Sequence, residues 1–204
     1  MTQQQYNFHN LYTRFDDQFT PPLPDHVNIH IPDAEQRLRA GLDYFVRQFT
    51  CGETQHAQWH EENYRPIVQW MTHNHGRGLI LTGTCGLGKT LIGKYILPLL
   101  IRDTSRRIVN IFTARDLQAR PDEIMQYHLI YIDDIGTENA TNIFGNKRQP
   151  LAELVDLAEQ TGKLLILTTN LNGRELRAKY GDRTIDRLKA VTTYITLTGQ
   201  SLRR

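Results

Sequence analysis

The chain has 204 residues, long enough for one domain with its own core. Its 24 Lys and Arg against 22 Asp and Glu leave a formal net charge of +2, too small to mark a polyanion binder on charge alone. Two cysteines, Cys51 and Cys85, exclude a disulfide framework and suit a reducing compartment. The N-terminus has no apolar core behind a basic flank, and no apolar run reaches the length of a membrane span. A cytoplasmic protein without membrane attachment is therefore expected.

In chain order, residues 1–32 are rich in Gln, Asn and Asp and contain Pro21, Pro22 and Pro24, which forbid regular structure and predict an extended arm or linker. Asp33 and Gln36 suggest a capped helix start, and Leu38, Leu42, Phe45, Val46 and Phe49 recur at helical spacing. Thr50 and Glu53 form a second Thr-x-x-Glu box, predicting another helix interrupted at Pro66 and ending near "HNHGRG". Residues 33–76 are thus a small helical N-terminal region.

From Gly78 the pattern changes to short apolar runs separated by helical segments. The strand candidates are "LILT" (79–82), "RIVNIF" (107–112), "LIYID" (129–133), "LLILTT" (164–169) and "TYITL" (193–197). Helices are expected after Gly88, at Ala114–Ala119, at Leu151–Glu159 and across Arg174–Leu188. Ile- and Leu-rich strands alternating with helices predict a five-stranded parallel sheet flanked by helices over residues 77–204.

Two stretches carry chemistry. "GTCGLGKT" (Gly83, Thr84, Cys85, Gly86, Leu87, Gly88, Lys89 and Thr90) satisfies G-x-x-x-x-G-K-[ST] between a predicted strand and a predicted helix. The glycines let backbone N–H groups converge on phosphate oxygens at a helix N-terminus. Lys89 suits the β- and γ-phosphates, and Thr90 a magnesium shell. "LIYIDDIG" then places Asp133 to hold Mg2+ and Asp134 to orient or deprotonate an attacking water. The second acid is Asp where motor ATPases carry Glu, and its shorter reach predicts slow ATP hydrolysis. The fourth strand ends in "TTN", where Asn170, with Thr169 in reserve, can hold the attacking water or the γ-phosphate.

In order, the motifs are the P-loop, "IDDIGTE", "LTTNLNGREL", "YGDRTIDRL" and "ITLTGQSLRR". Together they resemble the DnaC/DnaI-type helicase loaders and the related IstB transposition ATPases of the AAA+ superfamily, over roughly residues 77–203. The resemblance implies a P-loop NTPase of AAA+ type without a C-terminal lid. It implies that Arg187 is an arginine finger reaching the nucleotide site of a neighbouring subunit, supported by Arg183 one turn earlier, so that self-association completes the site. It also implies ATP and Mg2+ as ligands, a hexameric replicative helicase as partner, and contact with single-stranded DNA.

Loaders of this family carry a two-helix, DNA-touching insertion between the second strand and the "LIYIDDIG" motif, where "TARDLQARPDEIMQYH" leaves room for one short helix. DNA contact would then fall to Arg115, Arg120, Arg203 and Arg204. The alternative functions are a transposition helper acting on a transposase and target DNA, and a metabolic P-loop kinase. The kinase reading lacks an arginine-bearing lid. His56 and His60, at i and i+4, are a weak metal pair. Trp59, Tyr64 and Trp70 are expected in the core.

Overall fold

The computed structural model describes residues 26–52, 56–138 and 148–199. Pro21, Pro22, Pro24, Glu53, Arg203 and Arg204 lie outside them. Five parallel strands form one sheet: β1 (Gly78–Thr82), β2 (Asn110–Thr113), β3 (Leu129–Asp133), β4 (Leu164–Thr168) and β5 (Thr192–Thr196), in the order β2-β3-β4-β1-β5. Leu79 pairs with Ile166 and Thr193, and Tyr131 with Ile111 and Ile166. Successive side chains point to opposite faces, so the three central strands, buried along almost their whole length, feed two cores.

Leu79, Leu81, Tyr131 and Ile166 face one core, with α1 (Ala34–Phe49), α2 (Glu61–Thr72), a π-helical stretch (Leu91–Ile96) and α3 (Leu97–Ser105). Ile80, Ile130, Ile132, Leu165 and Leu167 face the other, against α4 (Ala114–Ala119), α5 (Pro121–Ile124), α6 (Pro150–Thr161), α7 (Gly173–Tyr180) and α8 (Asp182–Val191). Each fully buried Leu or Ile contributes about 1.5–3 kcal/mol.

The N-terminal helical region shares this first core instead of standing apart. Leu38, Leu42, Ile67 and Met71 are buried in the same cluster as Leu79 and Leu81. Residues 26–31 form neither helix nor strand, and Val27, Ile29 and Ile31 among them are buried. Asn74 pins this stretch by accepting from Ile29 N–H at 2.7 Å and donating to the Val27 carbonyl at 2.9 Å.

Several local expectations are corrected. Asp33 precedes α1 in the left-handed region and makes no side-chain cap. The Thr50 hydroxyl donates back to the Val46 carbonyl, Glu53 of the expected box lies outside the described residues, and the next helix among them starts at Glu61. Pro66 sits inside α2 without ending it, at the cost of the one bond its absent N–H would have made. β2 begins at Asn110, not at residue 107. Between β2 and β3 there are two short helices where one was expected, the first closed by a reciprocal Thr113–Asp116 capping box. The single helix expected over Arg174–Leu188 is broken at Gly181 into α7 and α8. Asn172 accepts from the N–H groups of Arg174 and Glu175, and Glu175 accepts from Asn172 N–H, so α7 has a capping box of its own.

Candidate functional site

The motifs meet at the carboxyl ends of β1, β3 and β4, where open α/β sheets bind ligands. The P-loop leaves β1 with Gly83, Gly86 and Gly88 all at positive φ, a conformation that residues with a Cβ rarely adopt. At Gly83 an added Cβ would lie 2.3 Å from the Leu197 carbonyl oxygen, so close approach demands glycine there as well.

Lys89 is only 5% exposed. Its Nζ donates to the carbonyls of Gly83 and Thr84 and to Asn170 Oδ1, each at 2.8 Å. β4 lies between β1 and β3, which puts Asn170 between the lysine and the acidic pair. Asn170 Nδ2 donates to Asp134 Oδ1 at 3.3 Å. Thr169, the reserve candidate, is fully buried; its hydroxyl donates to the Ile135 carbonyl at 2.7 Å and so shapes the turn after β3.

Asp133, at the end of β3, receives three hydroxyls on one oxygen. Tyr131 Oη (2.6 Å), Thr168 Oγ1 (2.7 Å) and Thr90 Oγ1 (3.1 Å) all donate to Oδ1. Thr168 Oγ1 also accepts from Asp134 N–H at 2.9 Å. Burial, with the Asp133 carboxylate beside it, raises the Tyr131 phenol far above its usual pKa, so it remains a donor at any working pH. Asp134 itself has φ 54°, a left-handed conformation that Asp tolerates better than most residues.

The turn beyond Asp134 is strapped to α7. Gly136 N–H donates to Glu138 Oε2 at 2.8 Å, and Tyr180 Oη donates to Glu138 Oε1. Lys179 Nζ donates to the carbonyls of Gly136 (2.6 Å) and Glu138 (2.5 Å). Tyr180 lies mostly buried, and desolvation followed by its carboxylate partner raises its pKa.

Arg183 and Arg187 lie on α8. Arg183 is exposed and has no ion pair among the described residues. Arg187 is half-buried and paired within its own chain, to Asp156 and, at 3.4 Å, to Glu159 of α6. The hydrogen bond to Asp156 raises its pKa further. Asp186 pairs with Arg177 at 3.5 Å instead of with Arg183 or Lys189.

This constellation is a phosphate-binding loop, a hydroxyl and carboxylate suited to a divalent cation, and a second carboxylate beside an amide. The sequence profile of the family described as Novel STAND NTPase 3 (nSTAND3) matches residues 60–199. The chain belongs to this family.

No curated protein matches the sequence of this NTPase. Among solved structures it is similar to the crystal structure of the DnaC helicase loader, with a TM-score of 0.51 and 16% identity over 89% of this chain and 95% of the other. Domain III of the replication initiation protein DnaA from Thermotoga maritima gives 0.51 and 16% over 87% and 69%. AMPPCP-bound DnaA from Aquifex aeolicus gives 0.50 and 18% over 69% and 49%. At these identities the likeness is one of fold, and it is the AAA+ P-loop fold expected from the motifs.

Sequence reasoning passed over three members of the NTPase site: Tyr131, Thr168 and Lys179. Tyr131 has a signal in hindsight of alternation, because it stands two residues before Asp133 and therefore on the same face of β3. Trp70 and Tyr64 are buried in the first core, as expected, while Trp59 packs on Tyr64 under the Arg39 guanidinium. His56 pairs with Asp43 at 2.9 Å, and His60 precedes α2, so the two are not neighbours on one helix.

Proposed function

We propose that this NTPase hydrolyses ATP in an assembly of its own copies, and that the ATP-bound form loads a hexameric replicative helicase onto single-stranded DNA. The observation that supports hydrolysis best is the bridge from Lys89 through Asn170 to Asp134. It aligns a phosphate-binding cation, a water-orienting amide and a base around one point. The loader role is supported by the likeness of fold to a helicase loader along nearly the whole of both chains.

In this reading the N–H groups of Gly83–Thr90 hold the phosphates, and Lys89 turns from its loop carbonyls to the β- and γ-phosphates. Thr90 and Asp133 would hold Mg2+. When bound, that ion neutralises charge on the phosphate oxygens. Asp134 accepts a proton from the attacking water, which Asn170 orients. Asp makes a shorter base than Glu, and hydrolysis is slow. Arg187, with Arg183 beside it, enters a neighbour's site and stabilises charge on the γ-phosphate. To do so it exchanges its own Asp156 and Glu159 for that phosphate, so hydrolysis is conditional on assembly.

The test is co-purification of the Asp134→Asn chain, loaded with ATP, with the replicative helicase of its own host. ATP-dependent capture of the hexamer that is lost in Lys89→Ala supports the loader role. Capture of a transposase in its place moves the protein to transposition. Capture of the helicase that is equal with and without ATP contradicts a nucleotide-controlled loader.

A further inference from the structure

Tyr131 is out of character for its surroundings. β3 otherwise presents Leu129, Ile130 and Ile132 to the cores, and all are buried. Tyr131 is also fully buried, and its ring lies against the π-helical stretch that follows the P-loop. The fit is close: a Cβ added at Gly93 would fall 2.5 Å from Tyr131 Cε2 and 3.4 Å from Thr168 Cγ2. Gly93 in a helical segment is unfavourable in itself, by about 1 kcal/mol relative to Ala. Here it is the residue that makes room for the ring. An isolated π-helical stretch inside a helix commonly marks a functional position.

What the ring delivers is a hydroxyl on Asp133 Oδ1 at 2.6 Å, with Thr168 Oγ1 on the same oxygen at 2.7 Å. Thr90 Oγ1 reaches that oxygen from the P-loop side. All three donors therefore occupy one edge of the carboxylate. Among the described residues Oδ2 accepts no hydrogen bond, so it is the oxygen left for a cation or its waters. A hard cation and its waters are bound through carboxylate and hydroxyl oxygens of this kind, and partners that orient such ligands set the affinity.

We propose that Tyr131 is a positioning residue of the magnesium site, holding Asp133 by one oxygen so that the other serves the cation or its hydration shell, with Gly93 as the cavity that admits it. The proposal rests on the nucleotide reading above. It predicts that the phenol governs metal affinity and leaves nucleotide affinity in the absence of metal alone.

The experiment measures binding of Mn2+, by electron paramagnetic resonance, to the full chain saturated with a non-hydrolysable ATP analogue. Tyr131→Phe keeps the ring against Gly93 and removes only the hydroxyl. It should weaken Mn2+ roughly 10- to 100-fold, the usual effect of removing a partner of a metal ligand, with metal-free analogue binding within about twofold of wild type. Gly93→Ala retains the hydroxyl but displaces the ring and should weaken Mn2+ in the same direction. Thermal melting confirms that each variant is folded. Mn2+ affinity unchanged in Tyr131→Phe, while Asp133→Asn abolishes it, overturns the positioning role and leaves the nucleotide reading standing. Wild-type protein that binds neither the analogue nor its Mn2+ complex overturns both.

Discussion

Lys89 and Asn170 meet across the mouth of the sheet, Nζ to Oδ1 at 2.8 Å, although 81 positions separate them in the chain. The contact exists because β4 is inserted between β1 and β3. The same amide donates to Asp134, so a single side chain touches both the phosphate cation and the acid that faces water. Asn170→Ala should lower the turnover number for ATP by about a hundredfold, the usual loss for one donor acting on the reacting centre. Its KM should change little. Steady-state kinetics at saturating ATP checks this, and a rise in KM at constant turnover contradicts it.

The pairing of Arg187 with Asp156 and Glu159 predicts a restraint on assembly. Removing both acids, in Asp156→Asn with Glu159→Gln, frees the guanidinium for a neighbour. Such a partly exposed pair restrains only weakly, so the protein concentration giving half-maximal ATPase should fall about two- to fivefold. If Arg187 only ties α8 to α6, the curve stays where it is and the melting temperature falls.

Lys179 bonds the turn after Asp134 to the helix that leads into α8. Lys179→Met removes both bonds while keeping most of the side chain's length and its apolar stem. Stability should fall by about 1–3 kcal/mol, measured by urea unfolding. Turnover should drop further than ATP affinity does, because the turn orients the base and not the phosphates.

Acid stability reports on α4. The Thr113 N–H, then its hydroxyl, hold the Asp116 carboxyl below its ordinary value. A depressed carboxylate contributes stability that is present above the unfolded pKa and is lost as pH falls through the folded one. The stability difference between wild type and Asp116→Asn should therefore be constant above about pH 5 and shrink below it. A difference that does not vary with pH contradicts the capping role of the charge.

The strands and the P-loop were legible because their signals are local: apolar runs of strand length, and a motif whose glycines are dictated by its own backbone. The full order of the sheet was not legible, because it is set by packing between elements distant in the chain. Other features depend on tertiary partners. Asp33 reads as a cap, yet the chain enters α1 from a left-handed residue and the side chain is not used. Thr50 reads as a helix start, yet its hydroxyl finds the Val46 carbonyl one turn back. Asp186 has two basic neighbours on its own helix and pairs with Arg177 of the preceding one. The grip of Tyr131 on Asp133 needed a glycine 38 positions earlier to make space, and no window of sequence joins them.

Mixing two inactive variants tests the central claim, ATP hydrolysis completed by a neighbouring copy. Lys89→Ala should fail to bind ATP but keep Arg187, and Arg187→Ala should keep its nucleotide site and lose the finger. If the arginine acts between subunits, the mixture regains ATPase activity that neither variant has alone, and the gain grows with total protein concentration. A mixture as inactive as its components at every concentration would contradict the account.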